Sequence, residues 1–119
     1  MTSFRDEQYW QAMQTLLFNA QIVIDRPKGR PHPRYPDVIY PLDYGYLEGT
    51  TAGDGNGIDV WVGSQAEKTL TGILCTFDAV KRDAEIKLLV GCSAQDVETV
   101  LRFFNEGLMR YLYIPKPKE

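Results

Sequence analysis

LTGILCTFDAVKRDAEIKLLVG, residues 70–91, is the stretch on which the fold turns. Two apolar runs, Leu70–Phe77 and Glu85–Gly91, have strand length, and the charged turn around Lys81 to Asp83 is too short to hold a helix, so the pair reads as a hairpin. Upstream, Ile58–Gly63 (IDVWVG), Tyr44–Glu48 and the β-branched Gln21–Asp25 (QIVID) read as further strands. Downstream, Ser93 followed by Asp96 is a helix-capping pattern, and Val97, Val100, Leu101 and Phe104 mark an amphipathic helix that stops near Gly107. The tail adds one more strand at Tyr111–Ile114. At the other end, Ser3 with Asp6 opens a helix running to Asn19, on which Trp10, Met13, Leu16, Leu17 and Ala20 form a stripe read as core packing. Five or six short strands that are not separated by helices exclude a doubly wound parallel sheet. They predict an α+β, mostly β protein: a small antiparallel barrel or curved sheet with a helix at each end.

The 119 residues match one domain spanning 1–119. Hydrophobic residues at 44% and charged residues at 24% lie in the globular range and exclude collagenous and disordered classes. Thirteen Lys+Arg against sixteen Asp+Glu leave a net charge of −3, which gives no overall basic field to attract nucleic acid. The N-terminus carries Arg5, Asp6 and Glu7 in place of an apolar leader, and no run approaches the ~20 apolar residues of a membrane span. Cys75 and Cys92 lie in strand-like runs without Cys-x-x-Cys spacing. Together these features predict a soluble cytoplasmic protein with buried, reduced thiols and no membrane partner.

Charge is nevertheless unevenly spread. The segment RPKGRPHPRYPDVIYP, residues 26–41, holds five of the seven prolines together with Arg26, Lys28, Arg30, His32 and Arg34. Proline cannot donate to a ladder, so this is an irregular loop. A solvated basic loop is the bland alternative, but a local positive stretch in an acidic chain reads better as an anion site.

Gly53–Val60, GDGNGIDV, carries the chemistry. It precedes a strand and does not open a helix, so the dinucleotide fingerprint fails. A calcium helix-loop-helix fails as well, because Ile58 and Gln65 stand where oxygen ligands are required. What remains is a loop presenting Asp54 and Asn56, followed by a strand that fixes Asp59 on the face opposite Ile58 and Val60. Hard oxygens of this kind suit Mg²⁺.

Four segments, in order, resemble the soluble, Mg²⁺-dependent inorganic pyrophosphatases. Ile22–Gly29 (IVIDRPKG) is similar to the family's strand ending in an acid before Pro-Lys-Gly, and Tyr40–Tyr46 (YPLDYGY) to its Tyr-Pro-x-Asn-Tyr-Gly-Tyr. Asp54–Val60 (DGNGIDV) is similar to Asp-Gly-Asp-Pro-x-Asp-Val, and Asp83–Leu88 (DAEIKL) to the hairpin holding two acids and a lysine. The resemblance implies an OB-type barrel that hydrolyses inorganic pyrophosphate, or acts on a related phosphorylated small molecule, with Mg²⁺. It assigns Asp54, Asp59, Asp83 and Glu85 to metal and Lys28, Arg34, Tyr40, Tyr44 and Lys87 to substrate, with Asp54, Asn56, Tyr44 and Lys87 catalytic and Asp25 in the outer shell. The family's bacterial members are oligomeric, which with exposed edge strands implies self-association as a homo-oligomer. Phosphoryl transfer agrees with such a residue set, since it needs positioning and charge neutralisation more than covalent help.

Departures from the pattern bear on rate. The middle acid of the signature is Asn56, which cannot accept a proton. Pro36 replaces an acid after Tyr35, Arg34 replaces a lysine, and an arginine-bearing hairpin is missing. After Phe103-Phe104-Asn105-Glu106 the family's Tyr-Lys pair gives way to Gly107-Leu108. The expectation is a slow pyrophosphatase, with a catalytically impaired Mg²⁺/phosphate-binding module as the alternative. A single-stranded nucleic-acid platform built on Tyr35, Tyr40, Tyr44 and Tyr46 is disfavoured by the net charge.

Overall fold

The computed structural model describes residues 4–107 and 109–118. Along the chain run α1 (Phe4–Asn19), β1 (Ile22–Arg26), β2 (Asp43–Leu47), β3 (Ile58–Val62), β4 (Leu70–Asp78), β5 (Asp83–Val90), α2 (Ala94–Asn105) and β6 (Met109–Pro115). Every strand and helix expected from the pattern is present, each with its ends moved by a residue or two. The Ser3 cap expected for α1 lies outside the described residues. The cap of α2 is a full capping box: Ser93 Oγ accepts from the Asp96 N–H while the Asp96 carboxylate accepts from the Ser93 N–H.

One six-stranded sheet, ordered β1-β2-β3-β5-β4-β6, carries the fold. Its pairings are antiparallel except β3–β5, which is parallel, and the sheet does not close. Of the expected barrel or curved sheet, the chain forms the open, mostly antiparallel sheet, with one parallel pair. The reason is positional: β4 and β5 form the expected hairpin, but β4 lies on its far side, leaving β5 to pair with β3. At Gly45 the β1 backbone comes so close that a Cβ would lie 1.8 Å from the Val23 carbonyl oxygen, which explains glycine between Tyr44 and Tyr46.

Period-two alternation gives the sheet two apolar faces. On one, Leu47, Val60, Leu70, Ile73, Leu88 and Val90 pack with Trp10 and Leu17 of α1, as the helical stripe predicts. On the other, Trp61, Leu74, Leu89, Tyr40 and Leu42 pack with Val97, Val100 and Phe104 of α2. Cys92 is buried in this second cluster, its Sγ directed at the Val90 and Trp61 carbonyl oxygens. Its thiol is pushed up to about 12 by burial and then by the Asp96 charge. Cys75 is half-buried, short of the full burial expected, and both thiols are free.

The proline-rich excursion between β1 and β2 doubles back on itself. Across it the Gly29 N–H donates to the Tyr40 carbonyl and the Tyr40 N–H donates to the Arg30 carbonyl, and Pro31 bridges Ile39. Since every proline there occupies a position with no ladder donor to lose, the irregular loop predicted from the sequence is compatible with this order.

Candidate active site

The face that buries Trp61 and Leu89 becomes polar toward the starts of the same two strands. Along β3 the sequence reads Asp59, then Trp61 on one side; along β5 it reads Glu85, Lys87, Leu89. Parallel register pairs Val60 with Leu88, so one step earlier Asp59 meets Lys87. The Lys87 ammonium donates to Asp59 Oδ2 at 2.8 Å, to Glu85 Oε2 at 3.2 Å and to the Tyr44 hydroxyl at 2.7 Å. Three acceptors satisfy three donors.

Lys87 is only 6% exposed, so this is a buried cluster and not a surface ion pair. Burial opposes its charge, but the Tyr44 oxygen and the Asp59 carboxylate outweigh that and raise it above the ordinary lysine range. Tyr44 is raised too, by burial first and despite Lys87, so its hydroxyl stays protonated. Glu85 is raised by desolvation against the pull of Lys87, with Asp59 and a hydrogen bond shared with Asp54 adding to the rise. Asp54, at the exposed loop tip, is lowered by the Asn56 N–H that donates to its Oδ1 at 2.9 Å and by the contact with Glu85.

Two adjoining clefts open over this cluster. One, of about 590 Å³, is lined by Asp25, Asp54, Asn56 and Asp59. The larger, of about 710 Å³, is lined by Asp83, Glu85, Lys87 and an aromatic wall that includes Tyr40 and Trp61. Arg26, Tyr44 and Lys81 belong to both. The Arg26 guanidinium donates to the Tyr40 hydroxyl and lies 5.6 Å from the Tyr40 ring centroid. Within the wall the Trp61 indole N–H is buried and has no hydrogen-bond partner among the described residues, a state that costs about 1–3 kcal/mol.

Of the residues expected from the sequence, Asp54, Asp59, Glu85, Lys87 and Tyr44 come together, and Asn56, Asp83 and Tyr40 line one cleft or the other. Lys28 and Arg34 line neither. The Lys28 backbone N–H donates to Asp43, and the Arg34 backbone N–H to His32 Nδ1. Sequence reasoning undervalued Arg26 and missed Lys81. Arg26 stands next to Asp25 at the end of β1, where a strand terminus already signalled a rim position. Lys81 sits on the β4–β5 turn, which Asp78 Oδ1 folds by accepting the Val80 and Lys81 N–H groups. A charged turn residue carries no signal of its own that it leans over a site.

Magnesium takes hard oxygen donors. The carboxylates of Asp54, Asp59 and Glu85 are hard oxygens facing open clefts, so the donor type fits. Among the described residues, however, no three of His, Cys, Asp or Glu are placed to hold one ion, and Lys87 already engages both Asp59 and Glu85.

The open sheet with rim helices defines a mostly β, OB-like α+β fold. Among solved structures the chain is similar to an inorganic pyrophosphatase from Coxiella burnetii, at 16% identity and a TM-score of 0.51 over 82% of this chain and 83% of that one. No protein-family model matches the chain, and no curated protein matches it. No helix among the described residues is long and apolar enough to cross a membrane.

Proposed function

We propose that this chain binds inorganic pyrophosphate, or a related phosphorylated small molecule, over the Lys87 cluster and hydrolyses the anhydride bond slowly. The observation that carries this reading is Lys87, buried yet fully charged between Tyr44, Asp59 and Glu85 at the junction of two clefts whose shared wall supplies Arg26 and Lys81. A polyanion placed there meets Lys87 from below and Arg26 and Lys81 from the side, which is the charge neutralisation phosphoryl transfer requires. Asp54, Asp59, Glu85 and Asp83 offer the oxygen donors that Mg²⁺ prefers, but among the described residues no three of them converge on one ion, so charge neutralisation here rests on Lys87, Arg26 and Lys81. Tyr44, kept protonated, serves as a neutral donor toward a phosphate oxygen. Asn56 can orient water through its amide but cannot take a proton, which is why the rate is slow.

The second reading, a binding module without turnover, is favoured by one specific feature: the amide at Asn56 in a set of acids already satisfied by Lys87. Calorimetry with pyrophosphate and Mg²⁺, run beside a phosphate-release assay, separates the two. Binding with release supports the enzyme, binding without release supports the module, and the absence of binding rejects both.

A further inference from the structure

The larger cleft offers more than pyrophosphate needs. At about 710 Å³ it is the size of sites that hold drug-sized ligands, and pyrophosphate alone is far smaller. Its lining combines the charged Lys87, Glu85, Arg26 and Lys81 with an aromatic run. That run climbs from the floor to the mouth, from Trp61 to Tyr40 at 5.8 Å between ring centroids, then to His32 at 6.2 Å with rings 17° from parallel, then to Tyr35 at 5.0 Å from His32. Core packing accounts for Trp61 and Tyr40, which are 1% and 6% exposed. It does not account for Tyr35, which is 60% exposed and still lines the cleft. The unpartnered Trp61 N–H is a second sign, a donor in an aromatic wall with no acceptor supplied by the described residues.

We infer that the ligand of this cleft is a nucleoside polyphosphate, with its phosphates over Lys87, Arg26 and Lys81 and its base stacked on the His32–Tyr35 rings. This inference rests on the phosphate site proposed above and names the substrate class of that same site. Base stacking on aromatic side chains is tolerant of base identity and strong enough to dominate selectivity. Burial and the neighbouring cations Arg26, Arg34 and Lys81 keep His32 below the usual histidine range, so near neutral pH it presents an uncharged ring to the base. Ring-bearing phosphates therefore gain contacts that bare pyrophosphate cannot make.

The test uses two non-hydrolysable probes with Mg²⁺, the α,β-methylene analogue of ADP and methylenediphosphonate, titrated by calorimetry into the wild-type chain and into Tyr35→Ala and His32→Ala. The nucleotide analogue should bind at least about tenfold more tightly than methylenediphosphonate, within the range one stacked base contributes. Both variants should lose that preference while keeping methylenediphosphonate affinity within about twofold, which also shows that they fold. Equal affinity for the two probes in the wild type, or a preference that survives both variants, overturns the inference and leaves the pyrophosphate reading standing. If neither probe binds, the phosphate site itself is refuted and the inference falls with it.

Discussion

Asn56 and Lys87 are the two residues at which chemistry and folding pull hardest on each other. Asn56 sits in a loop whose backbone N–H caps Asp54, and its side chain lines the smaller cleft. A positioned general base is typically worth ~10² to 10⁴ in rate, and an amide supplies none of it. Asn56→Asp is close to isosteric, so phosphate release from pyrophosphate should rise at least about tenfold and the pH–rate profile should gain an acid limb. An unchanged rate would place the defect elsewhere and favour the binding module. Lys87 presents the opposite case, being essential to the local electrostatics. Lys87→Ala leaves Asp59 and Glu85 facing each other without their cation. Breaking a buried pair costs ~3–5 kcal/mol, but these acids keep some exposure, so about 2–3 kcal/mol is expected by denaturant unfolding, together with a loss of pyrophosphate affinity. That stability cost exceeds what a surface lysine would give.

Elements set these residues in place, and α2 shows how. Asp96 accepts from the Ser93 N–H at 2.9 Å, the Ser64 N–H at 2.8 Å and the Ser64 hydroxyl at 2.8 Å, so one carboxylate ties the helix start to the loop leaving β3. Burial alone would raise its pKa, but the donors from Ser64 and Ser93 prevail and lower it. A carboxyl lowered in the folded state contributes stability above its unfolded value near ~4, and that contribution is lost as pH falls through the folded value. Asp96→Ala should therefore cost about 2–3 kcal/mol at neutral pH, with the gap to wild type closing in acid below pH ~4, as read from urea titrations at several pH values. The cap was legible in the sequence because Ser93 and Asp96 are local partners. The link to Ser64, thirty-two positions away, was not, because nothing in a glycine-serine turn records which helix it will touch.

At the scale of the whole chain, the strands and both helices could be read from periodicity, and so could the two-faced core. Strand order could not. A hairpin announces itself through a short turn, whereas the parallel β3–β5 contact joins segments separated by β4 and depends on the sheet having assembled. The site inherits that blindness: Asp59 and Lys87 were each recognised, but their contact follows from the parallel register. Arg34 and Lys28, expected at the phosphates, lie off the clefts because the proline-rich excursion folds back on its own backbone. Since ligand binding across several strands acts on the global equilibrium, pyrophosphate with Mg²⁺ at ~100 times Kd should add ~2.7 kcal/mol and raise Tm by roughly 10 °C in differential scanning fluorimetry. A shift of less than about 2 °C at such saturation would show that the ligand does not engage the native sheet.

Cys92 turns this architecture into a clock. Its thiol is shut between the Trp61 and Val90 carbonyls, on the strands that carry the site. With its pKa pushed up to about 12 it holds almost no thiolate at neutral pH, and it is buried under α2, so a maleimide or iodoacetamide can reach it only when this packed cluster opens. Cys75, which is half-buried, should react first and can be blocked in advance. The slow second labelling event, followed by mass spectrometry, then times the opening of the cluster that α2 forms with β3 and β5. A ligand seated over Lys87 should slow it in proportion to its occupancy, whereas Asp96→Ala should quicken it.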